Sequence, residues 1–236
     1  MIVKKITDAL EEWAPLAYAE DFDNVGLLVG DVNMEVTGAL VTLDTLENVV
    51  DEAISKNCNL IISFHPIIFG GLKKLTGSTY VERSVIKAIQ NNIAIYSMHT
   101  ALDNAMDGVN AKICEILGIQ NTKILIPQEG TIKKLTTYVP KEESEKLKEA
   151  LFSAGAGNIG NYSNCSFSVV GTGSFKAGEN ANPIKGKIGQ THYEEESQIN
   201  ITFPKAHEGK ILKALFKNHP YEEVDYEVKT LENTNQ

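Results

Sequence analysis

The sequence predicts an α/β protein in two parts: an N-terminal layered α/β half-domain with a mainly parallel sheet, and an α+β domain of ferredoxin-like type. Short apolar runs alternate with amphipathic helical stretches through the first half of the 236-residue chain, which is typical of layered α/β sheets. In the second half, one strand-proline-helix pattern occurs twice, as in paired β-α-β units. We assign 1–130 to the first domain, 132–230 to the second and 231–236 to a C-terminal tail.

The first half alternates helices and strands in order. Ile6, Leu10 and Trp13 recur at helical spacing and predict the first helix. Apolar runs bounded by turn residues predict strands, and amphipathic stretches predict helices between them. The strands are expected at 25–29, 40–43, 59–62 and 93–96, and the further helices at 46–56, 81–91 and 107–117, with Gly118 ending the last one.

The second half contains an internal repeat. Segment 135–141 resembles 199–205, and 148–152 resembles 212–216, both at the offset of 64 positions that separates Pro140 from Pro204. An ungapped repeat of strand, proline and helix predicts two equivalent units, with each proline at the first turn before its helix. We expect the middle strands at 166–170 and 185–190, with turns at 171–173 and at Gly178.

Composition excludes several classes of function. The net charge of -9 comes without any basic stripe, so we expect no nucleic acid partner. No apolar stretch approaches the roughly 20 residues of a membrane span, and the N-terminus leads into an amphipathic pattern, so we expect a cytoplasmic protein without membrane contact. The three cysteines, Cys58, Cys114 and Cys165, are widely spaced, and we expect buried thiols rather than disulfides or a metal knuckle.

Histidine and aspartate side chains follow two neighbouring predicted strands. His65 comes after strand 59–62, and His99 and Asp103 come after strand 93–96. The carboxyl ends of parallel strands form the ligand-binding edge of such sheets. Imidazole together with carboxylate suits zinc, manganese or iron. The alternative is that each histidine is a hydrogen-bonded strand cap, and these three side chains alone leave a site short of ligands.

The motifs support a family resemblance. The segment 20–30 (Glu-Asp-Phe-Asp-Asn-Val-Gly-Leu-Leu-Val-Gly), the His-Pro-Ile-Ile-Phe string from His65 and the His-Thr-x-Leu-Asp string from His99 resemble the Nif-three-like family of dinuclear metal centre proteins, widely labelled GTP cyclohydrolase I type 2 homologues. Segments 157–163 and 219–224 resemble the PII-like or CutA-like insertion of long bacterial members. The resemblance covers essentially the whole chain.

The resemblance implies a function and a set of roles. His65 and Asp103 would hold divalent metal, with Asp103 bridging two ions, and His99, Asp44 and Asn24 would orient the ligands. The implied activity is metal-dependent hydrolysis of nucleotide-like or phosphorylated substrates, in a homohexamer. The alternative is a non-catalytic metal-binding or regulatory scaffold whose PII-like domain senses a small molecule or caps an oligomer. No catalytic residue is assigned.

Two departures from the family pattern affect this site. Phe64 stands where the family has the first histidine of a His-His-Pro string, and phenylalanine cannot coordinate metal. The chain also ends at Gln236, before the second α/β half that supplies a histidine and a glutamate in long members. We therefore expect an incomplete site, little or no hydrolysis by this chain alone, and apolar surface left uncovered. A truncation, a split protein and a gene fragment are all compatible with the sequence.

Overall fold

The computed structural model describes residues 1–233, and these residues fold as two compact units. The first unit is Met1–Lys123, and the second begins at Ile124. Positions 234–236 of the expected C-terminal tail lie outside the described residues. Each unit has its own sheet of four strands.

The first unit alternates helices and strands as the sequence predicts. A short 3-10 turn, Leu16–Tyr18, follows the first helix. The elements are α1 (Val3–Trp13), β1 (Gly26–Val29), β2 (Ala39–Thr42), α2 (Glu47–Ser55), β3 (Leu60–Ser63), α3 (Tyr80–Gln90), β4 (Ala94–Ser97), α4 (His99–Asp103) and α5 (Val109–Leu117).

The sheet of the first unit has the order β1-β4-β3-β2. Strands β2, β3 and β4 are parallel, and β1 pairs antiparallel with β4. Ser63 and Ser97 are register partners at the ends of β3 and β4. Hydrogen bonding continues past the strand ends, since the His99 N–H donates to the Phe64 carbonyl over 2.9 Å. This continuation fixes the two segments that follow β3 and β4 beside each other.

The central strands of this sheet are buried on both faces. Ile61 and Ile95 pack with side chains of α2 and α3 in one apolar cluster. Leu60 and Tyr96, whose side chains alternate to the other face, pack with α1 and α4 in a second cluster. Helices on both faces explain why β3 and β4 are continuous apolar runs rather than alternating ones.

The exposed apolar side chains of the first unit include some on β2 and α5. Val41 on the edge strand β2 is 76% exposed. Helix α5 buries none of its residues, and Ile116 on it is 74% exposed. These positions present apolar surface to solvent.

The second unit has the element order β-α-β-β-α-β. Its strands lie in the order β6-β7-β5-β8, and all neighbouring pairs are antiparallel. Both helices pack on one face of the sheet, around Leu135, Leu151 and Leu215. The elements are β5 (Ile132–Pro140), α6 (Ser144–Ser153), β6 (Phe167–Lys176), β7 (Thr191–Pro204), α7 (Glu208–Asn218) and β8 (Tyr226–Leu231), with 3-10 turns at Lys141–Glu143 and Lys205–His207.

The internal repeat folds about a local two-fold axis. In each copy a strand ends at proline and is followed by a 3-10 turn and a helix, as predicted. Strands β5 and β7 are direct neighbours, and Thr136 faces Asn200 in their register. These two residues are repeat equivalents, and the Thr136 hydroxyl donates to Asn200 Oδ1 over 3.0 Å. The axis therefore passes between them.

The prediction for the middle strands was wrong in two respects. Residues 171–173 do not form a turn, because they lie inside β6. Residues 185–190 are not a strand, because Gly186 and Gly189 have φ values of 81° and 77°, which extended strands do not adopt. The third strand begins at Thr191 and continues for 14 residues into the repeat strand.

Candidate metal site

His65 and His99 lie side by side at the carboxyl-end edge of the first sheet. His65 follows β3 and His99 opens α4, directly after β4. The centres of the two imidazole rings are 5.5 Å apart. The parallel pairing of β3 with β4 brings them together, as the sequence predicts.

The His65 ring is oriented by Asp44. Its Nδ1 lies 2.8 Å from Asp44 Oδ1, and both side chains are about half exposed. Asp44 follows β2, the neighbour of β3, and its own carbonyl accepts a hydrogen bond from the Thr42 hydroxyl over 2.9 Å. Asp44 therefore fixes the orientation of the His65 ring.

The His99 ring is oriented by Asp23, whose side chain is fully buried. His99 Nδ1 lies 2.8 Å and 2.9 Å from the two carboxylate oxygens of Asp23. The carboxylate also accepts hydrogen bonds from the Thr100 hydroxyl, the Thr100 N–H and the Asn24 N–H. Burial acts to raise the pKa of Asp23, but these donors outweigh it and hold the pKa below its usual value.

The backbone of His99 is held in an unusual conformation. Its φ is +23°, in a region that residues other than glycine rarely adopt. Such a conformation persists only where surrounding contacts fix it. Here the hydrogen bonds of His99 Nδ1 and of the next residue, Thr100, to Asp23 supply those contacts.

The hydrogen bonds leave one nitrogen of each ring available. An ionised carboxylate only accepts, so in a neutral imidazole with this contact Nδ1 carries the proton and Nε2 carries the lone pair. Neither Nε2 bonds to another residue within 1–233. Metal-bound histidines in proteins typically have this carboxylate support on the other nitrogen. Two imidazoles bound to one zinc ion have ring centres about 5 Å apart, given Zn–N bonds of about 2.0–2.1 Å. The two imidazoles match a divalent transition metal in donor type and in the separation of their ring centres.

An aromatic wall surrounds the two histidines. The Phe64 ring centre is 5.0 Å from that of His65 and 5.4 Å from that of His99. Phe69 contacts His99 at 6.3 Å and Phe22 at 6.5 Å. Phe64 thus occupies the third corner of a triangle of rings, where a histidine would add a third imidazole.

The other predicted site residues are placed differently. Asn24 donates its side-chain amide to the Ile68 carbonyl, and its backbone N–H donates to Asp23, the carboxylate that contacts His99. Asp103 ends α4, four positions after His99, which places the two on one side of the helical turn. Its carboxylate makes no hydrogen bond or ion pair within 1–233, and its carbonyl accepts from Asn110 over 3.0 Å.

The described part of the chain does not close a metal site. No three histidine, cysteine, aspartate or glutamate side chains within 1–233 are grouped so that they could hold an ion. A structural zinc site needs four ligands, and a catalytic one needs three and a water. The two imidazoles at this edge are therefore fewer than the ligands that either kind of site needs.

Sequence reasoning did not assign Asp23 a role. Its carboxylate is the most strongly hydrogen-bonded group beside His99. The available signal was the Asp-Phe-Asp-Asn run at 21–24, where short polar side chains precede β1. That signal marks a turn as readily as a histidine partner, so only the structure distinguishes the two.

The fold and the site together define a two-unit α/β protein with carboxylate-supported histidines at the edge of a mainly parallel sheet. The model of the Duf34/NIF3 (NGG1p interacting factor 3) family matches residues 1–202. The chain belongs to this family.

Individual relatives agree with this assignment. The chain is 42% identical over 232 residues to a GTP cyclohydrolase 1 type 2 homolog of Bacillus subtilis, covering 98% of this chain and 62% of the relative. A Bacillus cereus protein related to NIF3 is 40% identical, with a TM-score of 0.79, over 100% of this chain and 63% of that protein. A Staphylococcus aureus protein is 31% identical, with a TM-score of 0.64, and the match covers 99% of this chain and 61% of that protein.

The chain spans about 62% of the length of the Bacillus subtilis relative.

Within residues 1–233, none of the helices has the length and apolar content needed to cross a bilayer.

Proposed function

We propose that this chain binds a divalent transition metal, zinc, manganese or iron, through His65 and Asp103. The observations that carry the proposal are the His65 imidazole held by Asp44, 5.5 Å from the imidazole of His99, and the place of Asp103 on the same side of α4 as His99. Asp44 orients His65, and Asp23 orients His99, which lies at the same edge of the sheet. The partial donor set favours weak binding, because affinity rises with the number of fixed ligands.

The reaction class that fits such a site is hydrolysis of nucleotide-like or phosphorylated substrates. A divalent metal held in this position would supply hydroxide near neutral pH and stabilise developing negative charge. The residues of this chain contribute ligand orientation and an aromatic wall. Because the donor set is partial, we propose that this chain alone has little or no hydrolytic activity.

A second candidate function is that of a metal-binding or regulatory scaffold without turnover. The observation that favours it is a cavity of about 590 Å³ in the second unit, which is large enough for a small molecule. The β-α-β-β-α-β order and the strand order β6-β7-β5-β8 support classing this unit as a ferredoxin-like domain of PII or CutA type.

We also propose a homo-oligomer, a hexamer in the intact family form, and a cytoplasmic location. The exposed apolar side chains of β2 and α5 support self-association. The free thiols of Cys58, Cys114 and Cys165 favour a reducing compartment.

Metal content tests the first proposal. The chain 1–236 is equilibrated with zinc or manganese, freed of unbound metal and assayed by mass spectrometry. We expect substoichiometric metal in the wild type and less in His65→Ala and Asp103→Ala, whereas the control His192→Ala, in the second unit, keeps the wild-type amount. Equal metal content in all four proteins would sink the proposal.

Activity tests the second part. The same proteins are assayed with nucleotide and phosphoester substrates beside a full-length relative, and we expect turnover from the relative alone. Metal-dependent turnover by the wild-type chain that Asp103→Ala abolishes would show that the site is already complete.

A further inference from the structure

The cavity in the second unit lies on the face of the sheet opposite the helices. Its floor is formed by residues that share one face of β5, β7 and β6, including Tyr138, Gln198 and Val169, which are register partners in the antiparallel sheet. Its sides come from the segment between β6 and β7 and from 221–225 before β8. With a volume of about 590 Å³, it falls in the range of about 300–1,000 Å³ typical of small-molecule sites.

Two glycines make room on the cavity floor. Gly171 has no atom within 4 Å of an added Cβ, so its position opens directly onto free space. A Cβ on Gly173 would lie 1.9 Å from Glu196 Oε2. The missing side chain at 173 therefore lets the Glu196 carboxylate lie flat across the strand, where it borders the cavity.

Aromatic rings border the same carboxylate. The Tyr221 hydroxyl donates to Glu196 Oε1 over 2.8 Å, and the rings of Phe175 and Tyr221 have centres 5.9 Å apart. This bond occupies one oxygen of Glu196 and fixes its carboxylate beside the two rings. A carboxylate next to aromatic faces is the combination that favours a cation with an apolar body.

The charges of the lining are unbalanced. Four carboxylates line the cavity, those of Glu196, Glu222, Glu223 and Asp225, together with the ammonium groups of Lys176 and Lys185. The Lys185 ammonium is held by Glu142 and, over 2.7 Å, by Glu194, so its charge is already compensated. The lining thus carries excess negative charge that a cationic ligand would neutralise.

We propose that this cavity binds a small organic cation, a primary amine or guanidinium attached to an apolar body, with the charge at Glu196 and the body against Phe175 and Tyr221. The inference does not rest on the metal site, since the residues that carry it all lie in the second unit. A ligand of this class would give the second unit a binding function of its own.

The test compares charged and neutral probes of one shape. The full chain, labelled with ¹⁵N, is titrated at constant salt with phenethylamine and with 2-phenylethanol, and amide shifts are followed. We expect saturable shifts at Gly171 and Gly173 with the amine, and binding weaker by about tenfold or more with the alcohol, which lacks the charge-assisted contact. Equal binding of both probes, or no shift of these amides with the amine, would overturn the proposal.

Matched variants locate the site. Glu196→Gln keeps an acceptor for Tyr221 but removes the negative charge, so the affinity for the amine should fall by about tenfold. The control Glu149→Gln removes the same charge from α6, on the helix-covered face of the sheet, and should leave the affinity unchanged. Gly171→Leu fills the cavity without meeting the backbone and abolishes binding, whereas Gly209→Leu on α7 does not. Unchanged amine affinity in both Glu196→Gln and Gly171→Leu contradicts the assignment.

Discussion

His99 Nδ1 lies 2.8 Å from Oδ1 and 2.9 Å from Oδ2 of Asp23, a residue 76 positions earlier in the chain. The contact joins the segment before β1 to the segment after β4 and holds a histidine whose φ is +23°. The same carboxylate accepts from Thr100 and Asn24. Asp23 therefore fixes the position of the His99 ring and favours the neutral tautomer with the proton on Nδ1.

Replacing Asp23 should lower stability and remove a pH dependence. We expect Asp23→Asn to cost about 1–3 kcal/mol at pH 7, because an amide nitrogen would face buried donors. The pKa of Asp23 is depressed in the folded protein. Its contribution is therefore complete above the unfolded pKa of about 3.9 and is lost as pH falls below it.

Urea unfolding at pH 7 and at pH 3 measures both effects. The wild type and Asp23→Asn should differ less in stability at the lower pH. The control Asp21→Asn changes a neighbouring exposed aspartate and should match the wild type at both values. A constant difference between wild type and Asp23→Asn across this range would contradict the account.

Glu82 should be a second source of acid sensitivity. Its carboxylate accepts hydrogen bonds from the backbone and hydroxyls of Thr76 and Ser78. The Thr76 donors contribute most to a pKa lowered to about 2. The stabilisation is present above the unfolded pKa of about 4.3 and disappears as pH falls from there toward 2.

Glu82→Gln is the variant for this group. It should lower the melting temperature at pH 7 and differ less from the wild type at pH 3, as followed by circular dichroism. Glu115→Gln, on an exposed ion pair of α5, should change the melting temperature little at either pH. A Glu82→Gln protein as stable as the wild type at pH 7 would show that this network does not support the fold.

Phe64→His should strengthen metal binding. The ring at position 64 lies 5.0 Å and 5.4 Å from the two imidazoles, so a histidine there adds a donor to the pair. We expect zinc affinity to rise by about tenfold or more in calorimetric titrations. Phe69→His, which lies beside His99 alone, is the control and should give a smaller gain. No gain from Phe64→His would mean that this edge of the sheet is not where metal binds.

The sequence allowed the position of the histidines to be predicted, because that position depends on local patterns. The apolar runs of β3 and β4 and the helices between them place His65 and His99 at one sheet edge. The pairing of Thr136 with Asn200 likewise agrees with the repeat offset, since both copies have the same local preferences.

Contacts that depend on loop folding could not be predicted. Asp23 reaches His99 through an irregular segment whose path is set by many tertiary contacts. The boundary of β7 was missed because the polar run from Thr191 gives no apolar alternation at its start, while Gly186 and Gly189 end regular structure just before it. The charged lining of the cavity comes from segments that have no shared sequence pattern.

In the proposed site, carboxylates fix both histidines and leave Nε2 free to bind metal. Long-range ¹H–¹⁵N correlation spectra of the imidazoles, recorded on the wild-type chain during a zinc titration, test it most directly. We predict the Nδ1–H tautomer for His65 and His99 without metal, and a zinc-dependent shift of the Nε2 resonance of His65. An Nε2–H tautomer at His65, or an Nε2 resonance that zinc leaves unchanged, would contradict the account.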